Sequence, residues 1–290
     1  MKLVKSIAEV RELAREEREA GRTVGLVPTM GFLHEGHLSL VDRCRELCDC
    51  VAMSIYVNPL QFGPSEDFGE YPRDLESDLA AAEGRGVDVV FAPDDRELYP
   101  IEPAVAVTPR RLAHRLCGLS RPSHFEGVLT VVAKLFGIFQ PDVSVFGQKD
   151  FQQAVLIERM TEDLNIPVRV DVVPTVREPD GIAMSSRNAY LSEEERTRAL
   201  SLSQGLAAAV RSFRAGERGA SVLRAAVKRE LAEAGVTEVE YVEIVEPREL
   251  ESVDRAVEES VVVVAARIGA TRLIDNVRLG RPDPRLATLL

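Results

Sequence analysis

The stretch PTMGFLHEGHLSLV, Pro28 to Val41, sets His34 and His37 three residues apart in a chain with only four histidines. Two imidazoles at that spacing share one helix face. Such a pair can ligate a metal, donate hydrogen bonds to a phosphate, or simply pack. A metal reading needs further ligands. HEGH lacks the His-Glu-x-x-His arrangement, and no Cys-x-x-Cys pair occurs. A phosphate reading has more support. The strand-like run TVGLV delivers the chain to a turn at Gly31, and EGHLSLVDRC then opens a helix. A helix N-terminus presents unpaired backbone N–H groups and a partial positive charge, and histidines there can stabilise charge as it develops. Packing stays open as the third reading.

Other segments carry groups of the same kind. FGQKDFQQ, Phe146 to Gln153, closes one strand and opens another helix. There Lys149 is a phosphate donor, Asp150 a cap or a ligand for ribose or metal, and Gln153 lies one turn along the same face. AMSSRN, Ala183 to Asn188, offers two hydroxyls and a guanidinium that could wrap a triphosphate. YVNPLQFG follows a strand, and its Gln61 offers both a donor and an acceptor to a small polar substrate. RPSHFEGV places Arg121 and His124 before a helix, with capping or packing as the plainer role for His124; His114 reads as a solvated helix residue. Each segment alone also fits an ordinary capped helix or polar turn.

The elements that must position these groups alternate. Helix-like AEVRELAREEREAG, with apolar residues at Ile7, Val10 and Leu13, precedes TVGLVPT; LSLVDRCREL precedes CVAMSIYV; DLESDLAAAEGRG precedes VDVVFAP; GVLTVVAKLFGIF precedes VSVFG; FQQAVLIERMTEDL precedes VRVDVVPTV. This is the signature of βαβ units, an α/β fold with a Rossmann-like, mostly parallel sheet and helices on both faces. The alternation stops near Thr175. Long helical segments between Glu193 and Ala234 and two strand-like runs, VEYVEIV and SVVVVAARIGATRLIDNV, then predict a smaller C-terminal α+β domain. The expected division is 1–175 and 176–290. GPSEDFGEYP, Gly63 to Pro72, reads as a surface loop or a lid.

Composition narrows the field. The 290 residues are 45% hydrophobic and 29% charged, the profile of a globular protein with a sizeable core. A net charge of −11 argues against bulk nucleic-acid binding, which shows as a basic face. No run approaches the roughly 18 uncharged apolar residues of a membrane span, and the N-terminal region lacks the apolar segment of a signal peptide. The expected setting is the cytoplasm, with neither nucleic acid nor membrane as a partner. Cys44, Cys48, Cys50 and Cys117 read as free thiols, mostly buried.

Taken in order, VPTMGFLHEGH, SIYVNPLQFG, EYPRD, RPSHFEGVLTVV, FGQKDFQQ, AMSSRN and TRLIDN resemble the pantothenate synthetase (pantoate–β-alanine ligase) family of the nucleotidylyltransferase superfamily, over essentially the whole chain. The resemblance implies ATP-dependent condensation of pantoate with β-alanine through a pantoyl adenylate, releasing pyrophosphate and AMP. It implies three ATP segments: Met30, Gly31, Phe32, Leu33, His34, Glu35, Gly36 and His37; Gly147, Gln148, Lys149 and Asp150; Val176 with Met184, Ser185, Ser186 and Arg187. His37, His34 and Lys149 take the catalytic positions. Gln61 and Gln153 match pantoate-binding glutamines, with Gln61 also toward β-alanine. Asp78 matches a position associated with Mg²⁺, but Ser77 and Ala81 stand where some members carry polar residues. A C-terminal lid domain and a homodimer are also implied. The alternatives are another enzyme that adenylates a small acid and a non-catalytic nucleotide sensor.

Overall fold

This computed structural model describes residues 1–64 and 66–288. The first unit comprises Met1–Gly147 and Gln153–Val173, the second Gln148–Gln152 and Pro174–Leu290. The five residues Gln148–Gln152 thus belong with the later part of the chain, a division that no single cut in the sequence captures.

The first unit holds strands β1 (Lys2–Val4), β2 (Val24–Thr29), β3 (Cys50–Ile55), β4 (Val89–Phe91), β5 (Val143–Gly147) and β6 (Arg169–Val173). Its helices are α1 (Ile7–Glu19), α2 (Glu35–Leu47), α3 (Leu75–Gly84), the short α4 (Asp95–Leu98) and α5 (Cys117–Ser120), α6 (His124–Phe139), and α7 (Phe151–Asp163), whose first two residues fall in the second unit. The sheet order is β1-β4-β3-β2-β5-β6, with every pairing parallel. This is the expected α/β architecture. Hydrophobic periodicity does not reveal β1, because three residues with only Val4 buried leave no alternation to detect.

Chain order reverses between β2 and β5, and ligands of open α/β sheets sit beyond the strand ends at such a point. The ladder between β2 and β5 covers only Gly25 and Leu26, opposite Val143 and Ser144. Pro28, which has no N–H to give, lies beyond the end of that ladder. The sheet therefore parts toward the carboxyl ends of these two strands.

Helix α2 lies close against the sheet. A Cβ on Gly25 would fall 2.2 Å from Cys44 Sγ, so only glycine admits the helix at this distance. Val27, Val51 and Met53 pack there with Leu40, Val41 and Cys44. Each such side chain, fully buried, contributes about 1.5–3 kcal/mol. Helices α1 and α6 contact each other and β2. Helix α1 is closed at its start by a reciprocal cap in which Ser6 Oγ accepts from Glu9 N–H and Glu9 accepts from Ser6 N–H.

The second unit holds α8 (Glu193–Arg214), α9 (Ala220–Glu233), β7 (Glu238–Val245), β8 (Val261–Ile268), β9 (Thr271–Arg278) and α10 (Pro284–Thr288). The strands form an antiparallel sheet ordered β7-β8-β9, and α8 and α9 pack together and on it. The run from Ser260 to Val277, read from sequence as one strand, is a hairpin. Gly269, at φ +59°, supplies the left-handed residue of its two-residue turn. Gly-Ala is a weaker turn signal than Asn-Gly, and continuous apolar density hid the reversal.

Cys44, Cys50 and Cys117 are buried and outside any disulfide, and Cys48 is half-buried. Burial pushes the Cys44 and Cys50 thiols up to about 12. Both therefore stay protonated, and only the thiolate is nucleophilic. Iodoacetamide at pH 8 is expected to modify these two only after denaturation. Peptide mass mapping reads this, and rapid labelling of the folded chain would contradict the packing described.

Candidate active site

The turn after β2 hangs on a buried carboxylate. Asp78, in the first turn of α3 and 3% exposed, accepts hydrogen bonds from Phe32 N–H at 2.9 Å and Leu33 N–H at 2.7 Å, one on each oxygen. Burial raises its pKa from the ordinary aspartate value, against the two donors that lower it. Gly31 lies at φ +82° and Phe32 at φ +51°. A Cβ on Gly31 would come 2.7 Å from Asp78 Oδ2. Glycine is thus required twice over, by dihedral and by space.

From this turn the chain enters α2 with His34 as its N-cap residue. His34 Nδ1 accepts from Gly36 N–H at 3.1 Å, and His37 Nδ1 accepts, at a longer 3.4 Å, from His34 N–H. The two rings stack with centroids 4.1 Å apart. A neutral imidazole that accepts at Nδ1 carries its proton on Nε2. In that tautomer each ring carries its proton on Nε2, the form that donates to an acceptor.

Gln61 closes a short 3-10 helix, Pro59–Gln61, after β3. Its Oε1 accepts from Asn58 Nδ2 at 3.1 Å, and its Nε2 lies 3.0 Å from Met30 Sδ. Asn58 Nδ2 also donates to Gly127 O, and Asn58 Oδ1 accepts from Tyr99 O–H at 3.2 Å. Burial pushes the Tyr99 phenol up to about 12, so it remains a donor. Gly127 on α6 lets the helix approach. A Cβ there would fall 2.2 Å from Leu60 O. The Gln61 carbonyl lies 2.9 Å from His124 Nδ1 and accepts from Arg121 Nη2 at 3.3 Å. Arg121 in turn forms a two-pronged pair with Glu66, both contacts at 2.6 Å. Burial alone would raise the Glu66 carboxyl; Arg121 outweighs it and holds the carboxyl at about 2. Glu66 belongs to the segment read as loop or lid, of which Ser65 lies outside the described residues. A cleft lined in part by Met30, Tyr56, Arg73 and Asp78 opens beside these groups.

The first unit thus gathers Met30–His37, Gln61 and Asp78, with Gly147 at the end of β5 and Gln153 half-buried in the first turn of α7. The second unit gathers the other expected segments. Gln148–Asp150 and Ser186–Tyr190 are 3-10 turns that both pack on β9. Lys149 Nζ lies 3.9 Å from Asp150 Oδ2. Ser185 caps the second turn by accepting from Arg187 N–H, and Asn188 Nδ2 fixes it by donating to Glu178 and to Ala183 O. Val176 O accepts from Met184 N–H at 2.9 Å. His114 is exposed in a 3-10 turn. Asn58, Arg121, Arg177, Asp275 and Asn276 were not singled out for these roles by sequence reasoning. Asn58 was accessible as an Asn-Pro cap; the others act across long chain separations.

These residues do not compose a cation cage. Among the described residues no three His, Cys, Asp or Glu side chains cluster, and both Asp78 oxygens already hold backbone N–H groups.

The pattern of the pantoate-beta-alanine ligase family matches residues 2–278. The chain belongs to that family. It is 53% identical to a pantothenate synthetase from Heliobacterium modesticaldum over 277 residues, covering 96% of this chain and 99% of the relative. It is also similar to the crystal structure of pantothenate synthetase from Thermus thermophilus, with TM-score 0.92 and 43% identity over 97% of this chain and all of that one. The Francisella tularensis pantoate-beta-alanine ligase, solved with beta-gamma ATP and beta-alanine, matches at TM-score 0.79 and 30% identity over 97% of this chain and 98% of that one. Among the described residues of this ligase-family chain, no helix is long and apolar enough to cross a membrane.

Two outcomes follow from the geometry. Gly31→Ala is expected to cost about 1–3 kcal/mol, from left-handed strain and the Asp78 contact. Chemical denaturation reads the loss, and an unchanged midpoint would contradict the turn. The Glu66 carboxyl is held below its unfolded value of about 4.3. Its contribution to stability is present above that pH and fades as pH falls toward about 2. Glu66→Gln should therefore lower the melting temperature at pH 7 and flatten its decline between those limits; parallel curves for both proteins would count against the pairing.

Proposed function

We propose that this chain condenses pantoate with β-alanine at the expense of ATP, through a pantoyl adenylate. The pantoate carboxylate oxygen attacks the α-phosphorus, and the bond to the bridging oxygen breaks as pyrophosphate leaves. The β-alanine amine then attacks the acyl carbon, losing a proton as the amide forms and AMP departs. The carrying observation is the stacked His34–His37 pair at the start of α2, both rings with Nδ1 accepting from a backbone N–H. A carboxylate must approach a polyanion here, and fixed donors lower that barrier without reorganising.

His34 and His37 donate to phosphate oxygens, His37 on the group in flight. Lys149 and Arg187 neutralise the triphosphate, and Ser185 and Ser186 donate to it. Met30–His37, Gly147–Asp150, Val176 and Met184–Arg187 bind ATP. Gln61, oriented by Asn58 and Met30, and Gln153 bind pantoate, Gln61 also facing β-alanine. Mg²⁺ comes with the nucleotide, resting on phosphate oxygens and water as this ion does when protein carboxylates are few. Asp78 serves mainly the turn beneath the histidines. The family resemblance carries with it a homodimer and the cytoplasm as the setting.

AMP release from ATP, pantoate and β-alanine together tests the reading; folded protein that releases none would reject it. His37→Ala should lower turnover by about 10²- to 10³-fold while weakening ATP affinity far less. Equal losses in both would favour a nucleotide sensor, and pyrophosphate exchange with other acids in place of pantoate would favour a different adenylating enzyme.

A further inference from the structure

The segment TRLIDN, Thr271 to Asn276, carries no role in the chemistry above, yet it forms most of β9 and contains two of the most deeply buried polar side chains in the second unit. Asn276, 2% exposed, gives its two Nδ2 hydrogens to Gln148 O and Lys149 O, each at 2.9 Å. Its Oδ1 accepts from Gln148 Nε2 at 3.1 Å. One carboxamide thus spends both donor hydrogens and an acceptor on the turn that carries Lys149. The orientation is fixed by chemistry, because exchanging Oδ1 and Nδ2 would set an oxygen against two carbonyls.

The preceding residue performs the matching task. Asp275, 3% exposed, accepts from Arg177 Nη1 at 2.6 Å and Nη2 at 3.0 Å. Arg177 also donates to Asp283 at 2.9 Å and to Gly181 O at 3.2 Å. It stands beside Val176, whose carbonyl holds Met184, at the head of the Met184–Arg187 segment. Burial by itself would lower the Arg177 pKa, but Asp275 and Asp283 outweigh it, so the guanidinium stays charged. Adjacent residues of one strand therefore hold the two turns bearing Lys149 and Ser185–Arg187, and each anchor is a buried, matched set of hydrogen bonds.

We propose that Asn276 is a positioning residue that acts through Lys149, setting the ammonium group in register with the serine–arginine turn that Asp275 and Arg177 hold on the same strand. The inference rests on the ATP reading of those two segments. Its physical basis is that a cation stabilises a transition state only when held within a fraction of an ångström, and a misplacement of about 1 Å can cost about 10²-fold in rate. Lys149 sits at the centre of the three-residue turn that leads from β5 into α7. The carboxamide supplies the constraint from outside.

The test is a double-substitution cycle in pantoate-dependent ATP–pyrophosphate exchange, using Asn276→Ala, Lys149→Ala and the pair. Asn276→Ala alone should lower the exchange rate about 10²-fold, with the pantoate KM unchanged. In the Lys149→Ala background the same change should alter the rate by no more than about 2-fold, because residues acting as a unit are lost together. The same fractional loss in both backgrounds would overturn the proposal, as would an unaltered rate in Asn276→Ala. Circular dichroism monitors folding. If the alanine variant does not fold, Asn276→Ser, which keeps one donor, carries the same cycle. If neither folds, Asn276 serves the fold alone and the proposal fails. Absence of exchange in the unsubstituted chain would instead overturn the ligase reading itself, before any variant is made.

Discussion

Two backbone N–H groups, those of Phe32 and Leu33, converge on the Asp78 carboxylate beneath the turn that follows β2. The turn has an unfavourable backbone, with Gly31 and Phe32 both at positive φ. A non-glycine residue in the left-handed region persists only where its surroundings over-determine it. Asp78 supplies that determination. The direction in which α2 starts, and so the edge that His34 and His37 present, depends on it. A carboxylate whose two oxygens already lock a loop is poorly placed to be the principal ligand of a cation.

The neighbourhood of Gln61 shows the same economy in polar groups. Asn58, Tyr99, Met30, Arg121 and His124 surround this residue, and the polar contacts among them pair donors with acceptors at suitable distances. Buried polar networks rigidify a site when fully satisfied and are costly when they are not. Glycine at position 127 is what allows α6 to press on the Pro59–Gln61 turn. Packing density and polar satisfaction here are one requirement, since a larger residue would push the helix away and leave Asn58 without Gly127 O.

The second unit builds its polar centre differently, around a charged cluster. Arg177, Asp275 and Asp283 are almost wholly buried. Removing one member of such a cluster leaves an uncompensated charge, which is why buried ion clusters are all-or-none features. Here the cluster shares a strand with Asn276, and the strand serves as a common base for two turns that lie far apart in the chain.

Periodicity and turn residues sufficed for most of the alternating α/β half, because its central parallel strands are short apolar runs set between helical stretches. They did not reveal β1, which is too short, or the β8–β9 reversal, where a single Gly-Ala interrupts unbroken apolar density. The residues proposed for the chemistry, His34, His37, Gln61, Lys149 and Ser185–Arg187, could be named from their types, their spacing and the order of their motifs. Their supports were not. The Asp78 bonds to Phe32 and Leu33, the Asn276 bonds to Gln148 and Lys149, and the Arg177–Asp275 pair span roughly 45 to 130 residues. Sequence fixes which groups exist and how far apart the chain places them within a turn or two of helix. Which carboxylate meets which amide across such separations is decided only when sheets and helices pack, because hydrogen bonds act over about 3 Å and carry no trace in local pattern.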